Sequence, residues 1–179
     1  MSYKFVTTLP SPHPGSQTTP EQKSTARYGG RWHARGIPAL YLSADLTTAA
    51  AEYKQEIGIR PGTFRAYDVR VDEVVDLTSV DVLATLGIDP AERYAAWKTI
   101  LLVERSVPPG WRIADTLTGL GSDGVPVPSV RPAGGTNLVL WRWNDAAERV
   151  VVALDPKTDL PRDQASWRWK RDPAVTPRS

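Results

Sequence analysis

The strongest constraint on the fold is the irregular order in which strand-like and helix-like stretches succeed one another. Tyr3-Lys4-Phe5-Val6 reads as a short strand. A loop from about residue 9 to residue 25 follows, carrying Pro10, Pro12, Pro14, Gly15 and Pro20; a loop of that length is either functional or plain surface. Ala39-Leu40-Tyr41-Leu42 has strand character, and Asp45 is placed to cap a helix over roughly residues 46–57 that Gly58 stops. Leu46, Ala50, Tyr53 and Ile57 fall at helical offsets and form the expected buried stripe, with Glu52 on its shoulder beside Asp45, Ala49 and Glu56. Pro61-Gly62 turns the chain into a strand over residues 63–71, and Val74-Val75-Asp76-Leu77 reads as a second short one. Residues 79–86 form a short helix ended by Gly87. Asp89 as cap, Pro90 in first position and Glu92 as capping-box partner predict a helix to about Val103 that buries Tyr94, Trp97 and Leu101. Residues 110–124 resist assignment, and residues 125–129 read as extended. Residues 137–143 and 149–154, on either side of Asn144-Asp145, predict an antiparallel hairpin. There is no internal repeat and no regular strand–helix–strand alternation. The expectation is an α+β fold: one compact domain with a mixed, largely antiparallel sheet and flanking helices.

Composition narrows the chemistry. The chain has 179 residues, 41% apolar and 23% charged, which suits one ordered domain with an ordinary core. A formal charge of +2, from 22 basic and 20 acidic residues, is too small to indicate nucleic-acid binding by itself. The absence of cysteine excludes disulfides, thiol nucleophiles and cysteine-based metal sites. His13 and His33 match no standard zinc spacing, so no metal is expected. The first thirty residues hold no apolar run suited to a signal peptide or membrane helix, and the expected location is the cytoplasm. We expect the domain to occupy residues 1–160. A tail over residues 161–179 carries Arg162, Arg168, Lys170, Arg171 and Arg178 against Asp163 and Asp172, with Trp167 and Trp169 among them. Such a tail suits packing on the domain, contact with a protein partner, or stacking against nucleic acid.

The densest chemical signal is Arg27-Tyr28-Gly29-Gly30-Arg31-Trp32-His33, followed by Gly36 and Pro38, then Leu40-Tyr41-Leu42-Ser43, then Ala50-Ala51-Glu52. The glycine pair lets the backbone turn sharply and approach a ligand closely. Arg31 offers a fixed fork of donors for phosphate oxygens. Tyr41 offers a ring face and a hydroxyl. Glu52 supplies a carboxylate that can hold a sugar hydroxyl or stabilise positive charge on a sugar carbon. Each alone also fits an ordinary role: a surface arginine, a core tyrosine, a solvated glutamate. Gly29-Gly30 makes no dinucleotide fingerprint, since the G-x-G-x-x-G spacing is absent.

Taken in order, these residues resemble the RES-domain family, named for an arginine, a glutamate and a serine that here would be Arg31, Glu52 and Ser129. Pro126-Val127-Pro128-Ser129 and Thr136-Asn137 resemble the family's second block, and the similarity runs from about residue 27 to residue 140. Two stretches depart from the pattern. The glutamate helix continues as Tyr53-Lys54-Gln55-Glu56, and Asn137 is followed by Leu-Val-Leu-Trp-Arg-Trp143 in place of the more usual Asn-Pro ending.

The resemblance implies an ADP-ribosyltransferase-like fold and a bacterial toxin paired with an Xre-type antitoxin that covers the active site. It further implies an enzyme that breaks the nicotinamide–ribose bond of NAD⁺, which is a substrate here. Phosphorolysis with inorganic phosphate, or hydrolysis, is the leading expectation. Mono-ADP-ribosylation of a cellular protein is the alternative, and a non-catalytic nucleic-acid-binding module is the competing class. No membrane contact is expected, and nucleic acid is reached only through the antitoxin. On this reading Arg31, Tyr41, Glu52 and Ser129 carry the chemistry. Arg27, Tyr28, Gly30, Trp32, His33 and Asn137 line the NAD⁺ site, though Trp32 also fits the core and His33 a structural role.

Overall fold

The computed structural model describes residues 2–10, 29–54, 62–131 and 134–157. Six strands form one sheet: β1 (Ser2–Pro10), β2 (Leu40–Ser43), β3 (Gly62–Arg70), β4 (Gly124–Pro128), β5 (Thr136–Leu140) and β6 (Val150–Ala153), in the order β4-β5-β2-β1-β3-β6. Neighbouring strands pair antiparallel throughout. Among the described residues one parallel bridge, Val74 with Gly124, lies outside the named strands. Four helices complete the described chain: α1 (Leu46–Tyr53), α2 (Val80–Leu86), α3 (Trp97–Leu102) and α4 (Pro109–Gly119), with a 3₁₀ turn at Pro90–Tyr94. This is the expected α+β architecture, and none of these helices is long and apolar enough to cross a membrane.

The sheet carries an apolar cluster on each face, which explains the unbroken run Leu138-Val139-Leu140-Trp141. Strand side chains alternate between faces. Leu138 and Leu140 therefore join Leu40, Leu42, Tyr67, Val69, Val71 and Val151 on one side. Val139 and Trp141 join Trp32, Val125, Val127, Leu83, Ile113 and Leu117 on the other, beneath α2 and α4. The sheet also curls. After β3 the chain returns to the outer edge of β4, where the Val75 and Leu77 amides donate to the Gly124 and Pro126 carbonyls. Arg149, which leads into β6, reaches the buried carboxylate of Asp123, which leads into β4, at 2.8 Å. Residues 74–77 are thus a cover on the β4 edge and not a separate strand.

Three further expectations change. The hairpin between residues 137–143 and 149–154 does not form, because β5 is flanked by β4 and β2 while β6 pairs with β3. Asn144 still makes the turn, at φ 54°, and its side-chain oxygen accepts from the Val151 amide at 2.7 Å. The helix capped by Asp89 breaks after one 3₁₀ turn and restarts at Trp97. Its expected apolar anchors are not buried: Tyr94 is 51% exposed, and Trp97 and Leu101 are half-buried. The buried residue is Arg93, which donates to the carbonyls of Leu77 and Pro90. Glu92 pairs with Arg112 at 3.0 Å. Residues 110–124, unassigned from sequence, begin in α4, with Pro109 in its first turn and Gly110, Ile113, Ala114 and Leu117 on its buried face.

The third change concerns α1. Leu46 is 55% exposed and Ala50 is exposed, while Thr48 and Ala49 are the buried residues. Small side chains let the helix lie close on the sheet, and the Thr48 hydroxyl is satisfied by Asp45 Oδ2 at 2.6 Å. Positions 48 and 49 lie four and three residues before Glu52, so the face turned inward is the one that carries the glutamate. Leu9 and Pro10, expected at the start of the long loop, instead end β1 opposite Thr63 and Gly62. Residues 11–28, Ile57 with the expected end of this helix, and the tail lie outside the described residues.

Close packing under the first motif gives a direct test. A Cβ on Gly110 would sit 2.2 Å from the Arg31 carbonyl oxygen, a backbone atom with no rotamer to escape through. Gly110→Ala should destabilise the protein by roughly 1–3 kcal/mol, the usual scale for overpacking, despite the better helix propensity of alanine. Urea denaturation of the two proteins reads the difference; equal midpoints would contradict the packing.

Candidate active site

The first motif folds as a tight turn held from below. Gly29 adopts φ 77°, and the Gly30 amide donates to the His33 carbonyl at 3.0 Å. A Cβ on Gly30 would lie 2.4 Å from His33 Cε1 and 2.7 Å from the Tyr41 hydroxyl, so only glycine fits. Two indoles pin the turn: Trp111 Nε1 donates to the Gly30 carbonyl at 2.7 Å and Trp141 Nε1 to the Trp32 carbonyl at 2.8 Å. Trp32 and His33 are closed in, at 2% and 1% exposure. The Tyr41 hydroxyl accepts from the Trp32 amide at 3.1 Å and shares a hydrogen bond with His33 Nδ1 at 2.8 Å. Burial pushes the Tyr41 phenol well above its ordinary value, against the opposing pull of the Trp32 amide and the Arg31 charge. Tyr41 is therefore a neutral hydroxyl that ties the turn to β2.

Arg31 is the charged side chain that the turn leaves half-buried. Its guanidinium donates through Nη1 to the Ala95 carbonyl, in the break between the 3₁₀ turn and α3. The same carbonyl accepts from the Trp97 amide at 2.8 Å, so both donors meet it at the break. Burial lowers the Arg31 pKa; the charge of Glu52 and the Tyr41 phenol oppose the shift, and Arg131 adds to it. A guanidinium stays protonated under such pressure. The group is thus a cation flanked by one carboxylate and a second cation.

Glu52, half-buried near the end of α1, receives two hydrogen bonds on one oxygen. Ser129 Oγ donates to Oε1 at 2.6 Å, and Asn137 Nδ2 donates to the same atom at 2.9 Å. Both donors are held in turn. The Arg131 amide donates to Ser129 Oγ at 3.1 Å, and Ser43 Oγ donates to Asn137 Oδ1 at 2.7 Å. The register explains the meeting. Ser43 pairs with Asn137 across β2 and β5, and Asn137 with Val127 across β5 and β4, so their side chains share a face; Ser129 lies two residues beyond Val127. Two donors on one carboxylate oxygen set the plane in which the group lies.

Arg31, Tyr41, Glu52, Ser129 and Asn137 are thus drawn to one neighbourhood, by hydrogen bonds or by the field at Arg31. Gly30, Trp32 and His33 form the support beneath it. Arg27 and Tyr28 lie outside the described residues. Sequence reasoning passed over Ser43, Trp111, Trp141 and Arg131. Period-two alternation from Tyr41 would have put Ser43 on the same face. Nothing local in sequence marks Trp111, whose partner lies 81 residues away.

The model of the RES domain family matches residues 8–173. The chain belongs to the RES domain family. No curated protein matches it. Among solved structures, this RES domain resembles a chain of the M. tuberculosis MbcT–MbcA toxin–antitoxin complex, with a TM-score of 0.54 and 19% identity over 87% of this chain and 86% of that one. At that identity the likeness concerns the fold.

The helix that presents Glu52 has an acid-sensitive cap. The Asp45 carboxylate accepts from the Thr48 hydroxyl and amide, and those bonds hold its pKa below the ordinary 3.8. A depressed carboxyl stabilises the fold above its unfolded value, and the contribution is lost as pH falls through the folded value. Below roughly pH 4, wild-type stability should therefore fall more steeply than that of Asp45→Asn, whose neutral cap does not titrate. Urea midpoints measured across that range compare the slopes, and parallel slopes would count against the cap.

Proposed function

We propose that this RES domain is the toxin of a toxin–antitoxin pair and that it cleaves the nicotinamide–ribose bond of NAD⁺, passing the ADP-ribosyl group to inorganic phosphate or to water. The observation that carries the reading is the doubly bonded carboxylate of Glu52 with the Arg31 cation in its field. As the glycosidic bond breaks, its electron pair passes to the ring nitrogen, so nicotinamide leaves neutral and needs no proton. Positive charge grows on the anomeric carbon, as in glycoside hydrolysis. A carboxylate already oriented by Ser129 and Asn137 stabilises that charge more in the transition state than in the ground state. An oxygen of phosphate, or of water that then releases a proton, forms the new bond to this carbon. Arg31 holds phosphate oxygens of NAD⁺ or of the incoming anion. The ring of Tyr41 flanks the nicotinamide, its hydroxyl being committed to the turn.

The likeness to a chain from a toxin–antitoxin complex supports the pairing with an antitoxin, which on this reading is of the Xre type and covers the site. The toxin works in the cytoplasm, where NAD⁺ is available. Residues 1–160 form its catalytic domain, and the basic tail packs on that domain or meets the antitoxin.

Incubation of the purified protein with NAD⁺, with and without inorganic phosphate, should release nicotinamide. Acceleration by phosphate identifies the acceptor. Release independent of phosphate, accompanied by a labelled protein, would replace this reading with ADP-ribosyl transfer to that protein. Glu52→Gln keeps shape and removes charge, and should lower turnover by about 10²–10³-fold, the scale of losing a transition-state charge partner. Full turnover in that variant would exclude Glu52 from the proposed role.

A further inference from the structure

We infer that Ser43, outside the Arg-Glu-Ser set that names the family, is a positioning residue that acts on Glu52 through the side-chain amide of Asn137. The inference rests on the role proposed for Glu52. Three observations support it. Ser43 Oγ donates to Asn137 Oδ1 at 2.7 Å, and Asn137 Nδ2 donates to Glu52 Oε1 at 2.9 Å, so one amide bridges hydroxyl and carboxylate. Ser43 is buried, and its backbone pairs directly with Asn137, so the contact is built into the β2–β5 register. The bonds also run in one direction. Hydroxyl gives to amide oxygen, amide nitrogen gives to carboxylate, and on the other side the Arg131 amide gives to Ser129, which gives to the same carboxylate oxygen.

An asparagine amide has two ends of opposite hydrogen-bonding character. With its oxygen engaged by Ser43, the amide turns its N–H toward Glu52, and the bond at the oxygen polarises that N–H into a stronger donor. Without the hydroxyl, the amide oxygen loses its partner on β2 and the amide loses one of its two tethers. Asn137 then presents its N–H to Glu52 with a less fixed orientation. Ser43 touches neither the proposed substrate nor the reacting atoms, so its effect should fall on the chemical step.

The test compares the full-length wild type, Ser43→Ala and Ser43→Thr. In Ser43→Ala, kcat for nicotinamide release should fall about tenfold, the worth of one good hydrogen bond. The KM for NAD⁺ should stay within about twofold, because ground-state contacts are untouched. Ser43→Thr keeps the hydroxyl and should recover kcat. A second measurement is independent of catalysis. The Asn137 side-chain amide should give a downfield, exchange-protected proton in ¹H–¹⁵N spectra of wild type and Ser43→Thr, and should lose it in Ser43→Ala. An unchanged amide signal and unchanged kcat in Ser43→Ala would overturn the inference, as would a loss confined to thermal stability. Should wild type release no nicotinamide, the proposed reaction falls, while the amide spectrum still reports whether Ser43 governs the group that holds Glu52.

Discussion

The site depends on bringing one carboxylate to two donors that lie 77 and 85 residues further along the chain. Glu52 comes from a helix, Ser129 from the end of one strand and Asn137 from the start of another. Three backbone placements must therefore agree to within a hydrogen bond. The β2–β5 and β5–β4 registers supply two of them. A slip of one residue in either pairing would send Asn137 to the opposite face of the sheet and leave Glu52 facing apolar side chains. The third comes from α1, where Thr48 and Ala49 allow the helix to lie close to the sheet with the glutamate turned inward. An inward leucine at those positions would lift the helix and the carboxylate with it.

Much of the fold is legible in local sequence. Asp45 and Asp89 each accept from an amide at the helical start they were expected to cap, and Gly87 adopts the left-handed conformation of a helix end. These signals are local, and local chemistry decides them. The expectations that changed depended on distant partners. Leu46 and Ala50 show a helical period, yet α1 buries its small-residue face because the sheet needs close approach there. The helix begun at Asp89 breaks where the Ala95 carbonyl meets an arginine 64 residues earlier. Residues 137–143 and 149–154 have the spacing of a hairpin, but both edges of β5 are already taken.

The site divides the same way. Arg31, Glu52 and Ser129 could be read from the order of a motif, and the match to the RES family over residues 8–173 agrees with that order. Their spatial relation could not be read, because it is a property of strand register. Trp32 and His33 show the limit of motif reading. They stand beside Arg31 in sequence, yet successive positions in a tight turn face different ways, and both are enclosed. Arginine between two buried aromatic anchors and a glycine turn is held by its own backbone. The guanidinium then keeps one donor on the Ala95 carbonyl and its charge near Glu52.

The opposite end of β4 answers a different physical demand. Asp123, just before the strand, is 1% exposed and pairs with Arg149 at 2.8 Å and Arg142 at 3.0 Å. A buried carboxylate is costly unless charged partners surround it. Here the pairing joins the start of β4 to the lead into β6, the two edge strands of the sheet. From Asp123 to Ser129 the chain spans about 20 Å of extended backbone. One short strand thus carries, at its entry, an acid enclosed by arginines that holds the curled sheet together. At its exit it carries a serine that orients another acid. The first carboxylate is neutralised by two guanidinium partners within reach. The second takes a hydroxyl and a side-chain amide on one oxygen, with the Arg31 cation in its field. Register at the two ends of a single strand thus sets one carboxylate to fasten the fold and orients the other toward the site.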